Sequence, residues 1–324
     1  MDTQLFEKLH REGLINSDSL TKISHAGTTR LFSLHWEIKT LLYLGVLLLS
    51  GGLGILVYEN IDTIGHQAIL AFLALICAGS FWYCIKQHAP FSRNKVTQPN
   101  TFFDYILLLG CLTFVTFIGY LQYQYSAFGT AYGLAVFVPL VVLFFSAYYF
   151  DHIGVLSMAI TNLAAWLGVT ITPFQLLNSG NFSSNQLIYT GMLLGLALLA
   201  AGLLSVKQHF KTHFAFTYEN FGAHLFFVAC IAAMCSNGEA SVLWFLLMLG
   251  IGYLIYKKAI GEQSFYFLLI TVLYLYVGFT IFLFRLISNT DWVVSFFLYL
   301  VVSAPVVAVL LVNLNKKIKH DRLQ

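Results

Sequence analysis

IKTLLYLGVLLLSGGLGILVY, residues 38 to 58, carries one charge, Lys39, near its start. A run of that length at ~1.5 Å of helical rise per residue spans the ~30 Å hydrocarbon core of a bilayer. A spanning segment must satisfy its own amides and carbonyls, so it is predicted as a helix. Nine further apolar runs follow, at 66–85, 101–121, 131–150, 153–172, 186–206, 220–236, 241–256, 264–284 and 292–312. The fold class that follows is an all-α polytopic membrane bundle of about ten transmembrane helices.

Composition requires the same class. Hydrophobic residues make up 59% of the 324 and charged residues 10%, against ~25% charged in an ordinary soluble domain. Water could not keep that much apolar surface dissolved. Cys77, Cys84, Cys111, Cys230 and Cys235 all fall inside apolar runs and form no C-x-x-C pair, so they are read as small hydrophobes rather than a disulfide framework or zinc site. P-loop, G-x-S-x-G, H-E-x-x-H and dinucleotide motifs are absent from the sequence, so no enzyme class is supported and no cofactor is expected. The basic residues lie in clusters between apolar runs, which speaks against a nucleic-acid footprint.

Those clusters orient the chain. With the N-terminus inside, sixteen of the seventeen Lys and Arg residues fall on inner segments and Arg285 alone falls outside, as the positive-inside rule asks. Both termini are therefore expected in the cytoplasm.

Residues 1–36 are of different material. Leu5, Phe6 and Leu9, then Leu20, Ile23 and Ala26, have helical spacing, with Gly13 as a C-cap and Asn16 or Ser17 as an N-cap between them. They are read as a cytoplasmic amphipathic hairpin, docked on the membrane surface or on the bundle. Five basic and five acidic residues up to Lys39 leave it no basic face for DNA. No signal peptide is expected ahead of the first crossing, because the apolar run starts late and lacks a small-residue cleavage site. Residues 37–313 form the bundle, and 314–324 a basic cytoplasmic tail.

Small residues mark where helices approach: Gly191-x-x-x-Gly195, Gly129-x-x-x-Gly133 and Ser50-x-x-x-Gly54. Pro139 and Pro305 fall mid-span, where a missing N–H frees a carbonyl and kinks the helix. Short echoes between the first and sixth runs, and between the third and eighth, raise the question of two five-helix halves of inverted topology.

Polar groups inside the spans are few. Asn162 lies at mid-depth in the fifth run beside Thr161, where an unpaired amide is costly, so it must face protein or water. It is a candidate for an interhelical bond or a solute contact. Thr113 and Thr116 are candidates for the same layer, and His224 for a bond to a neighbouring helix. Asp104 is read as an N-cap. Glu59, Asp62 and His66 have a spacing that could bind a metal, but two of the three are expected in solvated loops, so no metal site is read there. Lys207, His209, Lys211 and His213 alternate with Phe210, Phe214 and Phe216, which reads as an interfacial loop holding anionic lipid headgroups.

The pattern Leu5-x-x-x-Leu9 … Gly13-Leu14-Ile15, followed by the Gly-rich span LLYLGVLLLSGGLGILVYENID with Asn60 in its closing turn, resembles the prokaryotic membrane proteins grouped as domain of unknown function 2157. The resemblance is carried by about the first 70 residues. It implies a multi-pass protein of the bacterial inner membrane and assigns no activity. Three functional classes then stand in order. The first is a structural or regulatory component whose hairpin docks a membrane-protein partner or a second copy. The second is a carrier for a small uncharged or amphipathic solute, and the third an intramembrane enzyme acting on lipid. No cluster of ionisable residues is evident at one depth of the spans, which favours the first over ion-driven transport.

Overall fold

The computed structural model describes residues 34–59, 65–96, 101–171, 185–236, 240–286 and 292–321, with the single positions 12, 16 and 18. Among them ten helices are long and apolar enough to cross a membrane, and there is no strand. These are α1 (Leu34–Glu59), α2 (His66–Gln87), α3 (Thr101–Tyr125), α4 (Tyr132–Tyr149), α5 (Ile153–Ile171), α6 (Asn185–Lys207), α7 (Ala215–Ser236), α8 (Ser241–Gly261), α9 (Phe265–Leu286) and α10 (Trp292–Asp321). A 3₁₀ turn, Thr212–Phe214, leads into α7. The expected hairpin over 1–36 lies almost wholly outside the described residues. α10 continues past residue 313 through Lys316, Lys317 and Lys319 of the basic tail.

The chain divides into two units, residues 1–63 and 64–324. In the first, α1 is a continuous 26-residue helix. Ser50 returns its hydroxyl to the Leu47 carbonyl at 2.9 Å, as a hydroxyl with no bulk water to meet must do.

The second unit is built from antiparallel hairpins. The most extensive packing is within α2–α3, α4–α5, α6–α7 and α8–α9, with α10 laid on α9. All four hairpins close at one end, here called the inner end after the charge distribution. Three of the closures share a construction. Asp151, His209 and Gln263 each adopt a left-handed conformation (φ 59°, 51° and 52°) after α4, α6 and α8. The next amide then reaches back into the last turn, as in His152 N–H to Ala147 O, Phe210 N–H to Ser205 O and Ser264 N–H to Ala259 O. This is the Schellman arrangement, with a polar side chain where glycine is usual.

Two apolar clusters form the core. One gathers Phe103, Leu107, Leu143, Leu156, Ile160 and Phe214 from the α3–α7 side, the other Phe226, Phe227, Met248 and Leu268 from the α7–α9 side. Helices α6 and α7 contribute to both. Their closeness depends on glycine: a Cβ on Gly195 would lie 2.7 Å from the Phe226 amide nitrogen, and one on Gly222 2.8 Å from both the Gly195 carbonyl and the Leu199 nitrogen. Gly191, the other half of the sequence motif, meets Ala229 at an ordinary 3.7 Å. Both proline-containing helices remain continuous.

The packing does not repeat with a five-helix period. Such a period would carry α2–α3 onto α7–α8 and α4–α5 onto α9–α10, and both of those pairs pack far less than their supposed counterparts. What recurs is the single hairpin closed at the inner end.

Candidate functional site

The inner end holds most of the paired charge. Asp151 stands in the two-residue turn between α4 and α5, and its carboxylate is 1% exposed. Oδ1 lies 2.9 Å from Lys211 Nζ and 2.8 Å from His213 Nε2, and Oδ2 accepts the Val96 amide. One carboxylate therefore ties the α2–α3, α4–α5 and α6–α7 connections together. Lys211 is equally buried, with its ammonium 5.1 Å from the centre of the Phe91 ring. Its Asp151 contact is an ion pair with the wrong angle for a hydrogen bond. The Lys211 backbone, left-handed at φ 48°, donates to the Arg93 carbonyl at 2.8 Å and accepts from Ser205 Oγ at 3.1 Å. Beside this network, Tyr149 and His88 join at 2.9 Å and Tyr148 and Tyr218 at 2.7 Å. The buried His152 takes the Val155 amide on Nδ1 and directs Nε2 towards Asp104 at 3.9 Å.

These positions correct the headgroup reading for two of its four residues. Lys207 and His209 are exposed, but Lys211 and His213 turn inward to Asp151. Alternation of basic and aromatic residues describes an interfacial loop only when no acid lies opposite, and here one does. Asp104 is likewise not an N-cap: α3 starts at Thr101, so Asp104 is inside the first turn and faces His152.

A second charge pair lies where α7 meets α8. Glu219, buried in the first turns of α7, is bonded by Lys258 near the end of α8, and Lys258 also lies 3.4 Å from Glu262. The apolar pattern starts the seventh span at residue 220, whereas the helix starts five residues earlier, at Ala215, and takes in Glu219 with its partner Lys258. The pair borders a lateral groove of about 720 Å³. Leu196, Leu199 and Leu203 of α6 form one wall, Ile251, Leu254 and Ile255 of α8 the other.

The mid-span candidates separate. Asn162 Nδ2 donates to the Val136 carbonyl of α4 at 3.1 Å, three residues before Pro139. Thr161 and Thr116 are exposed and return their hydroxyls to Ser157 and Leu112 of their own helices. Thr113 is buried but does the same, to Leu109 and Gly110. The structure therefore assembles no shared polar layer from these residues. His224 bridges α7 to α9. Tyr266 gives its one proton to Asn220 Oδ1 at 2.6 Å, so its oxygen accepts from His224 Nε2 at 3.2 Å, leaving Nδ1 to accept from Tyr274 at 2.8 Å. At the outer end His66 joins Tyr120 of α3 at 2.7 Å. Among the described residues no group of three His, Cys, Asp or Glu is placed to hold a metal.

Ten apolar helices, with large side chains such as Leu75, Phe145 and Leu193 turned outward and polar groups paired inward, define a multi-pass helical membrane protein. Residues 7–154 match the family model described as Predicted membrane protein (DUF2157), and over that segment the chain is similar to that family. The resemblance carried by the first 70 residues is thus borne out and reaches to the first residues of α5. No curated protein and no solved structure matches the chain.

Proposed function

We propose that the protein is a structural or regulatory component of a bacterial cytoplasmic membrane, with both termini inside and residues 1–36 offering a docking element to a membrane-protein partner or a second copy. The observation that supports this reading is the Asp151 network, which locks three inner connections to one buried carboxylate. A carrier working by alternating access must part the inner ends of its helices, and this network opposes that movement. Spin labels at Asn94 and Gln208, on the α2–α3 and α6–α7 connections, test it by electron–electron resonance. A single narrow distance distribution in nanodiscs is expected. Two interconverting populations would favour a carrier.

The carrier remains the second reading because the groove between α6 and α8 offers an amphipathic guest an apolar wall and a charged rim. Orientation is tested separately in a Cys235→Ser background: an impermeant thiol reagent should label Asn181→Cys in intact cells and leave Lys319→Cys untouched. The reverse pattern would overturn the orientation.

A further inference from the structure

The groove between α6 and α8 has a length, a lining and a charge distribution that together specify a guest. Its volume, about 720 Å³, falls in the range of sites that hold small organic molecules. Along α8 it runs from Ile251 to Glu262, which at ~1.5 Å per residue is ~16 Å, or one leaflet of a ~30 Å hydrocarbon core. The wall residues Leu203 and Leu254 are more than half exposed, so the groove opens sideways, towards lipid.

Charge is confined to one end. Lys258 is shared there by Glu219 and Glu262, which leaves the three with one net negative charge that Lys257 offsets. Lys257 also lines the groove and is exposed, and it makes no ion pair among the described residues. It sits in the last turn of α8, at the level where the headgroups of the inner leaflet lie if the charge distribution orients the chain. An apolar slot one leaflet long, closed by an ammonium with three unclaimed donors, is complementary to a phosphate ester carrying a long acyl chain.

We propose that this groove binds one phospholipid of the inner leaflet, with an acyl chain between α6 and α8 and its phosphate on Lys257. The lipid, rather than free phosphate, is the occupant because most of the lining is aliphatic and contributes only to an acyl chain. The proposal rests on the spanning architecture and holds whether the protein is structural or a carrier.

The test is native mass spectrometry of the full chain, delipidated in detergent and titrated with palmitoyl-oleoyl phosphatidylglycerol. One lipid should be retained per chain. Diacylglycerol with the same chains, which lacks the phosphate, should be retained at least tenfold less, and glycerol phosphate, which lacks the chains, should not compete. Lys257→Glu should lower retention about tenfold, and Leu254→Trp, which fills the slot, should do the same. Lys86→Glu, an equal charge change on α2, should leave retention unchanged. Equal retention of phosphatidylglycerol and diacylglycerol, an unaltered Lys257→Glu variant, or loss in Lys86→Glu as large as in Lys257→Glu would each overturn the site. All three variants replace exposed side chains. Should one nonetheless lose its monodisperse profile, the lipid comparison on the unmodified chain decides alone.

Discussion

Two carboxylate–lysine pairs lie at the same end of this bundle, and they differ in what surrounds them. Asp151 and Lys211 are each 1% exposed and join three connections, whereas Glu219 is 8% and Lys258 27% exposed, at the rim of a groove. The first pair cannot exchange its partner for water without opening the packing around it. The second can, because Lys258 swings on a flexible stem and has Glu262 beside it. The same chemistry therefore serves as a fixed joint in one place and as an accessible polar rim in the other. The distinction comes from burial rather than from residue type.

The comparison is broken most directly at the joint. Asp151→Asn removes the charge but keeps the shape, leaving Lys211 buried with no counter-ion; losing one member of such a pair costs about 3–5 kcal/mol. Thermal unfolding in detergent should show the largest loss of any single change discussed here. Combining Asp151→Asn with Lys211→Met should recover part of it, since the uncompensated ammonium is then gone as well. A double variant no more stable than the single one would mean that the carboxylate's bonds to Val96 and His213 matter more than its pairing with Lys211.

The α6–α7 contact ranks next. Gly222→Ala sets a Cβ 2.8 Å from two backbone atoms of α6, neither of which can swing aside. The helices must separate, at a cost of about 1–3 kcal/mol for overpacking. Gly250→Ala in α8 is the control, because its Cβ would meet nothing within 4 Å. Helix propensity favours alanine at both positions, so Gly250→Ala should lose nothing, and similar losses in the two variants would show that closeness at Gly222 does not govern the result.

The groove-side pair should respond less than the joint. Glu219→Gln keeps a hydrogen-bonding group at the same place and leaves Lys258 free to reach Glu262 or solvent, so about 1 kcal/mol is expected. If Glu219→Gln destabilises as much as Asp151→Asn, the two pairs are equivalent and the contrast between joint and rim fails.

Much of the fold is legible in the sequence for one physical reason: a bilayer demands ~20 apolar residues per crossing, and hydropathy is a local property. The turn at Asp151 is legible too, since two polar residues interrupt apolar runs on either side. The joint is not. The partners of Asp151 are 60 and 62 residues away at Lys211 and His213, and a period of basic and aromatic residues looks the same whether it faces headgroups or a buried acid. The start of the seventh span is missed for a related reason. A charge near the end of an apolar run looks like a boundary until its partner, 39 residues on at Lys258, is known. The threonines are ambiguous in sequence, because a hydroxyl in a helix always has its own backbone available, and Thr113, Thr116 and Thr161 all take that option.

The smallest effect is expected at mid-depth, and it separates a packing role from a ligand role. Asn162 makes one bond to the Val136 carbonyl, a group that already belongs to the α4 backbone, three residues before Pro139. Polar contacts between membrane helices average near ~0.6 kcal/mol, because the separated helices also find partners. Asn162→Leu adds an apolar side chain of similar volume at a half-buried position, so its unfolding midpoint should barely move. The bond's use is then directional: it sets how α5 lies against α4, a packing that Phe137 and Trp166 also hold with rings 5.4 Å apart. A stable Asn162→Leu variant whose lipid retention at the α6–α8 groove is also unchanged is the expected outcome. A stable variant with altered retention would couple the α4–α5 hairpin to the groove through α6 and α7, and would move Asn162 from packing to function.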